Sequence, residues 1–509
     1  MKKAVPLMIQ GTHSDAGKSA IVTALCRIFM QDGYKTAPFK SQNMALNSYI
    51  TIDGKEIGRA QGVQAEAANI IATTDMNPIL IKPTGAYQSQ IVVHGKPFRN
   101  MKAGEYRQDF FQQGLTLIRD AYDRLASSYD RIVIEGAGSP AEINLNDREL
   151  VNMRIAKMAD APVILVGDIE KGGVFASLVG TLQLLEPEDR NRIIGVIINK
   201  FRGDVSLLKP GLNWFEEYTG VPVLGVVPYI EDLFIEAEDS VVLTNYSSKQ
   251  DLSKDIDIAV IRHPMISNFT DLDPFFEEVD CHVRFVKHAD ELGYPDLLIL
   301  PGSKNTIEDM MSLHQSGLAN KILELTQRDT MIVGICGGYQ MLGNTIEDEH
   351  KVESVHGKTS GLGLLPMETV ITEKKKTVQS VGMAMFGEKQ IPVKGYEIHM
   401  GESYFDERYK PFIHLTNSQD GVISENKQLV GTYFHGIFHN DLLRENILNE
   451  IRTKKGLDPI YDRVSFAKKK EEGFDLLANE IRKNINLDLV YQLCEEFGSN
   501  RADNHDVKE

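Results

Sequence analysis

One cysteine stands where a tight turn would join a strand to a helix. Cys336 follows the apolar run 331–335 and has a glycine two residues away on each side. Such glycines permit a strained turn that exposes the sulfur, and the N-terminus of the next helix favours the thiolate. The pattern predicts a nucleophile, for which the backbone N–H groups of Gly337 and Gly302 are the predicted oxyanion donors. The alternative is an inert buried thiol.

A base for this nucleophile has to come from elsewhere in the chain. His435 follows an apolar, strand-like run and precedes a glycine, which places it at a predicted strand end where a cysteine could meet it. A single histidine is more often structural or exposed. His439 and His399 are weaker candidates for the same role.

A second group of residues that could do chemistry lies near the N-terminus, between a predicted strand and a predicted helix. Gly11 and Gly17 let the backbone curl so that its N–H groups face phosphate oxygens, while Lys18 reaches the outer phosphates and Ser19 ligates Mg²⁺. Five residues separate the two glycines, one more than in the usual Walker A loop. The alternative is an ordinary glycine-rich turn.

Polar side chains end several of the neighbouring predicted strands. Glu135 and Asp168 each follow an apolar run, at the edge where open α/β sheets bind ligands, and could hold Mg²⁺ directly or through water. Either acid alone is as readily a helix cap or a solvated loop charge. Asn199 ends another strand, where its amide could bind adenine, although asparagine is also a common turn residue.

Lys40 ends the short strand-like segment 37–39, which should face the same crevice as the phosphate loop. It is either a solvated surface cation or an ammonium that draws a substrate carboxylate toward the γ-phosphate. Gln42 and Asn43 follow it, and amides of this kind can bind carboxylates and amides of a substrate. We therefore predict a substrate site at Lys40, Gln42 and Asn43.

Composition narrows the class of protein. The chain has 509 residues, which argues for more than one domain, and a net charge of −17, which argues against a nucleic-acid partner. Its four cysteines lie far apart, so neither disulfides nor a zinc site is expected. No apolar run is long enough to cross a membrane. We expect a cytoplasmic enzyme without a membrane partner.

Strand and helix patterns alternate in both halves, which predicts an α/β fold with parallel sheets. We expect an ATP-dependent domain at 1–235, a polar linker at 236–255, a second α/β domain at 256–450 and a helical extension at 451–509. Residues 501–509 are expected to be disordered.

These motifs resemble known families. Residues 334–340 with 433–436 resemble class I glutamine amidotransferases, and the N-terminal half resembles the dethiobiotin-synthetase-like ATPases. The two in this order resemble the glutamine-dependent amidases of the cobalamin pathway. Segments 38–48, 168–175 and 395–401 resemble the branch that amidates adenosylcobyrinic acid a,c-diamide, and Phe-Lys-x-Gln-Asn-Met at 39–44 is the most specific of these. The likeness extends to about residue 450.

The resemblance implies a P-loop parallel-sheet domain followed by a flavodoxin-like glutaminase domain. It also implies two half-reactions: hydrolysis of L-glutamine through a thioester at Cys336, and ATP·Mg²⁺-dependent activation of the b, d, e and g carboxylates as acyl phosphates. The product would be adenosylcobyric acid. Ammonia must then pass between the two sites, which requires the domains to face each other.

One departure from the wider glutaminase pattern concerns the base. Many relatives have His-x-Glu, in which the glutamate orients the histidine, but here the third position is Ile437. A Cys–His dyad is implied, and the sequence does not indicate what orients His435.

Two other functions fit parts of the chain. A partitioning-type ATPase switch would carry an extra lysine five residues before Lys18, where this chain has His13, and would carry a basic amphipathic tail. A glutamine-dependent amidase of another polyacid, such as a cell-wall lipid intermediate, would be expected to use a separate ligase chain.

Overall fold

The computed structural model describes residues 4–85, 87–231, 233–236, 243, 246–405 and 409–506, with side chains through residue 499. Within these ranges two parallel sheets, each packed against helices, form the two halves of the molecule. The predicted α/β class is therefore confirmed.

The first sheet is the base of the N-terminal half. Its strands are all parallel and almost entirely buried, as expected of a sheet covered on both faces. Successive residues of the first strand face different cores: Leu7 and Ile9 pack against the helix Lys18–Gln31, and Met8 packs on the opposite face. In the described chain this sheet has six strands, in the spatial order Val223–Pro228, Ile193–Phe201, Val163–Asp168, Val5–Gly11, Arg131–Glu135 and Thr36–Phe39.

Helices connect these strands. The longer ones are Lys18–Gln31, Arg59–Ala67, Phe111–Ala126, Met153–Ala159, Val174–Leu184 and Val205–Thr219. The short ones are Thr74–Met76, Ala103–Glu105, Tyr106–Phe110, Asn146–Arg148 and Pro187–Arg190.

Two small sheets are inserted after the strand Thr36–Phe39, and the sequence patterns did not predict them. They bring the segment after Lys40 to the junction between the two halves. Their strands are Gln42–Met44, Ile79–Pro83, Gln88–Val93 and Lys96–Lys102 in one sheet, and Ser48–Ile50 with Glu56–Gly58 in the other.

The second large sheet forms the other half. All its strands are parallel except the last, which is antiparallel. Among the described residues its order is Cys281–Val286, Ile256–Ile261, Leu297–Leu300, Met331–Ile335, Leu429–Thr432 and Val422–Ile423. The helices of this half are Phe269–Leu272, Asp273–Phe276, Ala289–Leu292, Thr306–Gln315, Leu318–Leu325, Gly337–Met341, Ile437–His439 and Asp441–Lys454.

A long antiparallel hairpin, Met367–Phe386 with Lys389–Phe405, projects from this half toward the inserted sheets. The Gln379 amide donates to the carbonyl of Ile50 at 2.7 Å, so the hairpin is joined to the N-terminal half. The remaining short strands are Ile266–Ser267, Gly302–Ser303, Thr345–Glu347, Lys358–Ser360, Ile413–Leu415, Gln419–Asp420 and Phe434–His435.

The C-terminal extension folds back onto the first half. Helices Phe466–Asn484 and Leu487–Asp506 bury Leu477 and Val490 in the same apolar core as the helix Lys18–Gln31. The backbone of the helix Leu487–Asp506 extends past residue 501, from which the sequence analysis expects disorder, and 507–509 lie outside the described residues. Of the expected linker, 237–242 and 244–245 also lie outside them.

Candidate functional site

The turn between the strand Val5–Gly11 and the helix Lys18–Gln31 wraps around the Lys18 side chain. The Lys18 ammonium donates to the carbonyls of His13 at 3.0 Å and Gly138 at 3.2 Å. Gly17 has φ = 100°, and a Cβ at this position would lie 2.0 Å from the Asn199 amide nitrogen. Both facts require glycine. The curled backbone at a helix N-terminus is suited to binding phosphate.

Asn199 holds this loop. Its amide nitrogen donates to the carbonyl of Ala16 at 3.0 Å, so the side chain contacts protein backbone as well as the adjoining cavity. That cavity has a volume of about 580 Å³. Residues from both halves and from the C-terminal helix line it, among them Gly17, Asn199, Tyr229, Phe269, Phe276 and Leu477.

Glu135 is the centre of a buried polar cluster beside the loop. One carboxylate oxygen accepts from the Ser19 hydroxyl at 2.9 Å and from the Lys40 ammonium at 2.8 Å. The other accepts from the Gln64 amide at 2.5 Å. Lys40 is only 5% exposed, which excludes the solvated surface cation.

The Ser19 hydroxyl and the Glu135 carboxylate are hard oxygen donors next to the phosphate loop. Mg²⁺ prefers such donors and usually keeps several waters and substrate phosphate oxygens as its other ligands, so this donor set fits it. Within the described part of the chain, no group of three or more His, Cys, Asp or Glu side chains could hold a metal by itself.

Asp168 lies on the other side of the loop, because its strand and that of Glu135 flank the strand Val5–Gly11. It pairs with Lys200 at 2.9 Å and lies 3.9 Å from the His13 ring. Burial alone would raise the pKa of Asp168, but the hydrogen bonds from Lys200 and from the Glu170 backbone lower it below its ordinary value. The carboxylate therefore stays ionised at the crevice.

The two predicted substrate amides are bound within the protein. The Asn43 amide nitrogen donates to Gln61 at 2.9 Å, and the Gln42 oxygen accepts from the Tyr106 hydroxyl. Asn43 is buried and Gln42 is half-buried. Of the three predicted substrate residues, Lys40 is the one in direct contact with the polar cluster at Glu135.

In the second half, Cys336 lies at a strained turn between the strand Met331–Ile335 and the helix Gly337–Met341. Its backbone has φ = 52° and ψ = −108°, a region that side chains avoid unless the surroundings impose it. The neighbouring glycines permit it, because they let the turn pack closely against the surrounding backbone. A Cβ on Gly334 would lie 2.6 Å from the Gly338 carbonyl, and one on Gly338 would lie 1.9 Å from the Leu300 carbonyl.

His435 faces Cys336 and is held by an aspartate. The His435 Nδ1 atom donates to the Asp271 carboxylate at 2.7 Å, and the other oxygen of Asp271 accepts from the Gly436 backbone at 2.7 Å. The His435 ring also stacks on Tyr396, with centroids 5.1 Å apart. Burial alone would lower the pKa of His435, but the Asp271 carboxylate and contact with Cys336 raise it to about 10.

Asp271 is the residue that the sequence analysis missed. It contacts His435 from a position 164 residues earlier in the chain, whereas the sequence analysis looked for an acid only at the third position after the histidine, where Ile437 stands. The signal that could have indicated it is a polar segment just after the strand Ile256–Ile261, at the carboxyl end of the sheet.

The predicted oxyanion glycines lie at the same place. A Cβ on Gly337 would lie 2.8 Å from the Ser303 backbone nitrogen, and one on Gly302 would lie 3.3 Å from the His435 ring. The competing histidines have other contacts. His399 stacks on Tyr433 with centroids 3.9 Å apart, and His439 contacts the Thr270 carbonyl at 2.9 Å.

The two halves meet at this second site. The Ser48 backbone, of the N-terminal half, donates to the Asn268 side chain at 2.8 Å, and Asn268 begins the short helix Phe269–Leu272 that carries Asp271. Lys82, also from the N-terminal half, lines the cleft around Cys336. The described helices include none that is both long and apolar enough to cross a membrane.

Two protein families match the chain. Residues 7–242 match the CobQ/CobB/MinD/ParA nucleotide binding domain, and residues 257–443 match the CobB/CobQ-like glutamine amidotransferase domain. The boundary between these two matches falls in the segment that the sequence analysis predicts to be a linker.

Full-length relatives are also similar. A cobyric acid synthase of Geobacillus sp. (strain WCH70) is 64% identical over 95% of this chain and 97% of its own length. One of Anoxybacillus flavithermus is 58% identical over 99% of this chain and 100% of its own. A cobyric acid synthase of Streptococcus sanguinis is 52% identical over 96% of this chain and 98% of its own length.

Proposed function

The chain belongs to the cobyric acid synthase family, and on that premise we propose that it amidates the b, d, e and g carboxylates of adenosylcobyrinic acid a,c-diamide. It is a glutamine-hydrolysing, ATP-dependent amidoligase of the cobalamin pathway. The proposal adds the substrate, the chemical steps and the residues that carry them.

Glutamine is hydrolysed at Cys336. With the Cys336 proton held on the His435 imidazolium, the sulfur attacks the side-chain amide carbon, and the resulting oxyanion is bound by backbone N–H groups around Gly302 and Gly337. His435 then gives the proton to the leaving nitrogen, ammonia departs, and water hydrolyses the thioester to glutamate. Asp271 keeps the imidazole oriented and stabilises its protonated form, which the 2.7 Å contact supports.

The corrinoid carboxylate is activated at the phosphate loop. Its oxygen attacks the γ-phosphorus of ATP, ADP leaves, and ammonia then displaces phosphate from the acyl phosphate to form the amide. Lys18 binds the outer phosphates, and Lys40 releases Glu135 to stabilise charge on the transferred group. Ser19 and Glu135 would hold Mg²⁺, which neutralises phosphate charge when bound. The cavity of about 580 Å³ is large enough for the nucleoside of ATP.

One observation carries the proposal: a single chain contains both the phosphate-loop site and the Cys336 site, and its two halves are joined by the contact of Ser48 with Asn268. That junction supports transfer of ammonia within the molecule. The test incubates the purified protein with adenosylcobyrinic acid a,c-diamide, glutamine and ATP, and follows the product by mass spectrometry. Stepwise conversion of carboxylates to amides is expected. If the corrinoid is unchanged while glutamine and ATP are consumed with another polyacid, the proposed substrate is wrong.

A further inference from the structure

The cleft around Cys336 contains more charge than hydrolysis of an amide requires. Lys82, Lys304, Lys375 and Glu353 all line it together with the nucleophile. Neither the thioester step nor the oxyanion uses these side chains. Their arrangement therefore has to be explained by something else that the cleft binds.

Two of the lysines have a common carboxylate partner. Glu56, which is 1% exposed, accepts from the Lys82 ammonium at 2.5 Å and also pairs with Lys375. Lys82 donates in addition to the Ser48 hydroxyl at 2.8 Å. An ammonium has three N–H bonds, so Lys82 keeps one for the cleft that it lines.

Lys304 and Glu353 line the same cleft. Among the described residues, Lys304 has no ion-pair partner within 4.0 Å, and its strongest attraction is to Glu353. Within the part of the chain that the structure describes, the Glu353 carboxylate accepts one long contact, of 3.4 Å, from the Thr306 backbone. Both segments are fixed, because the Asn305 side chain donates to the Glu353 carbonyl at 2.9 Å.

Burial penalises the charge on both groups. It lowers the pKa of Lys304 and raises the pKa of Glu353, in each case against the attraction between them. A ligand that carries one carboxylate and one ammonium would supply each group with a close partner and offset that penalty. Glutamine carries both charges on its α-carbon.

We propose that Lys304 and Glu353 bind the α-carboxylate and the α-ammonium of glutamine, and that Lys82 of the N-terminal half completes this subsite. The inference rests on the proposed function, because it assumes that glutamine is hydrolysed at Cys336. The glutamine site then belongs to both halves. The free volume of the cleft is about 40 Å³, room for a few waters, so the flexible lysine side chains must move aside as glutamine enters.

The test uses substrates that lack one charge each. Glutaramate has no α-ammonium, and 4-aminobutanamide has no α-carboxylate. The protein should hydrolyse both with a kcat/KM about 10- to 100-fold below that for glutamine, because each leaves a half-buried charge without its partner. Glu353→Gln should no longer prefer glutamine over glutaramate but should still prefer it over 4-aminobutanamide. Lys304→Met, and to a smaller extent Lys82→Met, should no longer prefer glutamine over 4-aminobutanamide but should still prefer it over glutaramate.

Matched controls come from the loop that contains Glu353. Glu349 and Lys351 are exposed, and Glu349→Gln and Lys351→Met should discriminate among the three substrates as the unmodified protein does. Ammonia-dependent amidation reports that each variant is folded. The subsite is wrong if the Lys304 and Glu353 variants keep the unmodified preferences or lose activity equally with all three substrates. Failure of the proposed function gives a different result, namely glutamine hydrolysis that survives Cys336→Ala.

Discussion

The phosphate-loop crevice and the Cys336 cleft hold their reactive groups by different means. In the crevice, opposite charges are paired with one another: Lys40 with Glu135 at 2.8 Å, and Lys200 with Asp168 at 2.9 Å. In the cleft, a strained backbone fixes the nucleophile and an aspartate fixes the base. The first site must exchange ion-pair partners when its ligands bind, whereas in the second the nucleophile and the base are already held before glutamine enters.

Substitution of Cys336 should distinguish the functions of the two sites most strongly. Cys336→Ala should lower glutamine-dependent amidation by about 10⁴-fold or more, because nothing else in the cleft can form the thioester. Amidation with external ammonia should persist, since the sulfur acts only in making ammonia. Parallel assays with the two nitrogen sources measure this, and an equal loss with both would contradict the assignment.

Lys18→Ala tests the opposite site. Amidation should fall by about 10³-fold with either nitrogen source, because acyl-phosphate formation needs the outer phosphates to be bound. Lys35→Ala, an exposed lysine, is the control and should have no effect. A Lys18 variant that amidates at the normal rate with ammonia would show that residues 11–19 are not the ATP site.

Asp271→Asn tests how the cleft is preorganised. Glutamine hydrolysis should fall by about 10³-fold, because the asparagine neither fixes the tautomer nor stabilises the imidazolium. Asp273→Asn makes the same chemical change two residues along and should leave hydrolysis nearly unchanged.

The pH dependence of glutamine hydrolysis should also shift in Asp271→Asn, in a direction that the pKa of His435 determines. The Asp271 carboxylate outweighs burial and raises the pKa of His435 to about 10, so the imidazolium persists well above neutral pH. Without that carboxylate only the contact with Cys336 opposes burial, and the pKa of His435 falls. Activity that needs the imidazolium is lost as pH rises through this pKa, so the alkaline limb of hydrolysis should move to lower pH. An unmoved limb would mean that Asp271 does not act on His435.

Lys40→Ala has the smallest of these expected effects. Amidation with saturating ammonia should drop by about 10²-fold, as expected when one preorganised cation is removed from a charged transition state. Glutamine hydrolysis at Cys336 should continue. If the variant amidates within about twofold of the rate of the unmodified protein, Lys40 lies outside the mechanism.

Local motifs made both constellations visible in the sequence. Gly11–Ser19 and the turn at Cys336 are contiguous, and each contains the glycines that its geometry requires. The α/β class followed from the same strand and helix patterns. Contiguity is what made these features predictable, because their geometry depends on neighbours in the chain.

Features built from distant segments could not be predicted in the same way. Asp271 reaches His435 across 164 residues, and the polar segment in which it lies does not indicate which histidine its carboxylate would meet. The hairpin Met367–Phe405 contains the run Lys374–Lys376, whose polarity hides a strand that is only partly buried. Lys82 is an ordinary strand lysine until the two halves dock and bring it to the cleft.

The return of the C-terminal helices to the first half bears on how the chain is synthesised. The apolar face of the helix Lys18–Gln31 is covered by Leu477, Ile481 and Val490, which leave the ribosome long after the helix does. The first half to emerge therefore cannot bury that face until the second half has also been translated. During this interval the nascent chain exposes an apolar surface beside its phosphate loop, and surfaces of this kind promote aggregation. Translation that stops shortly before residue 477 would release a protein with both sites encoded but with its first domain uncovered.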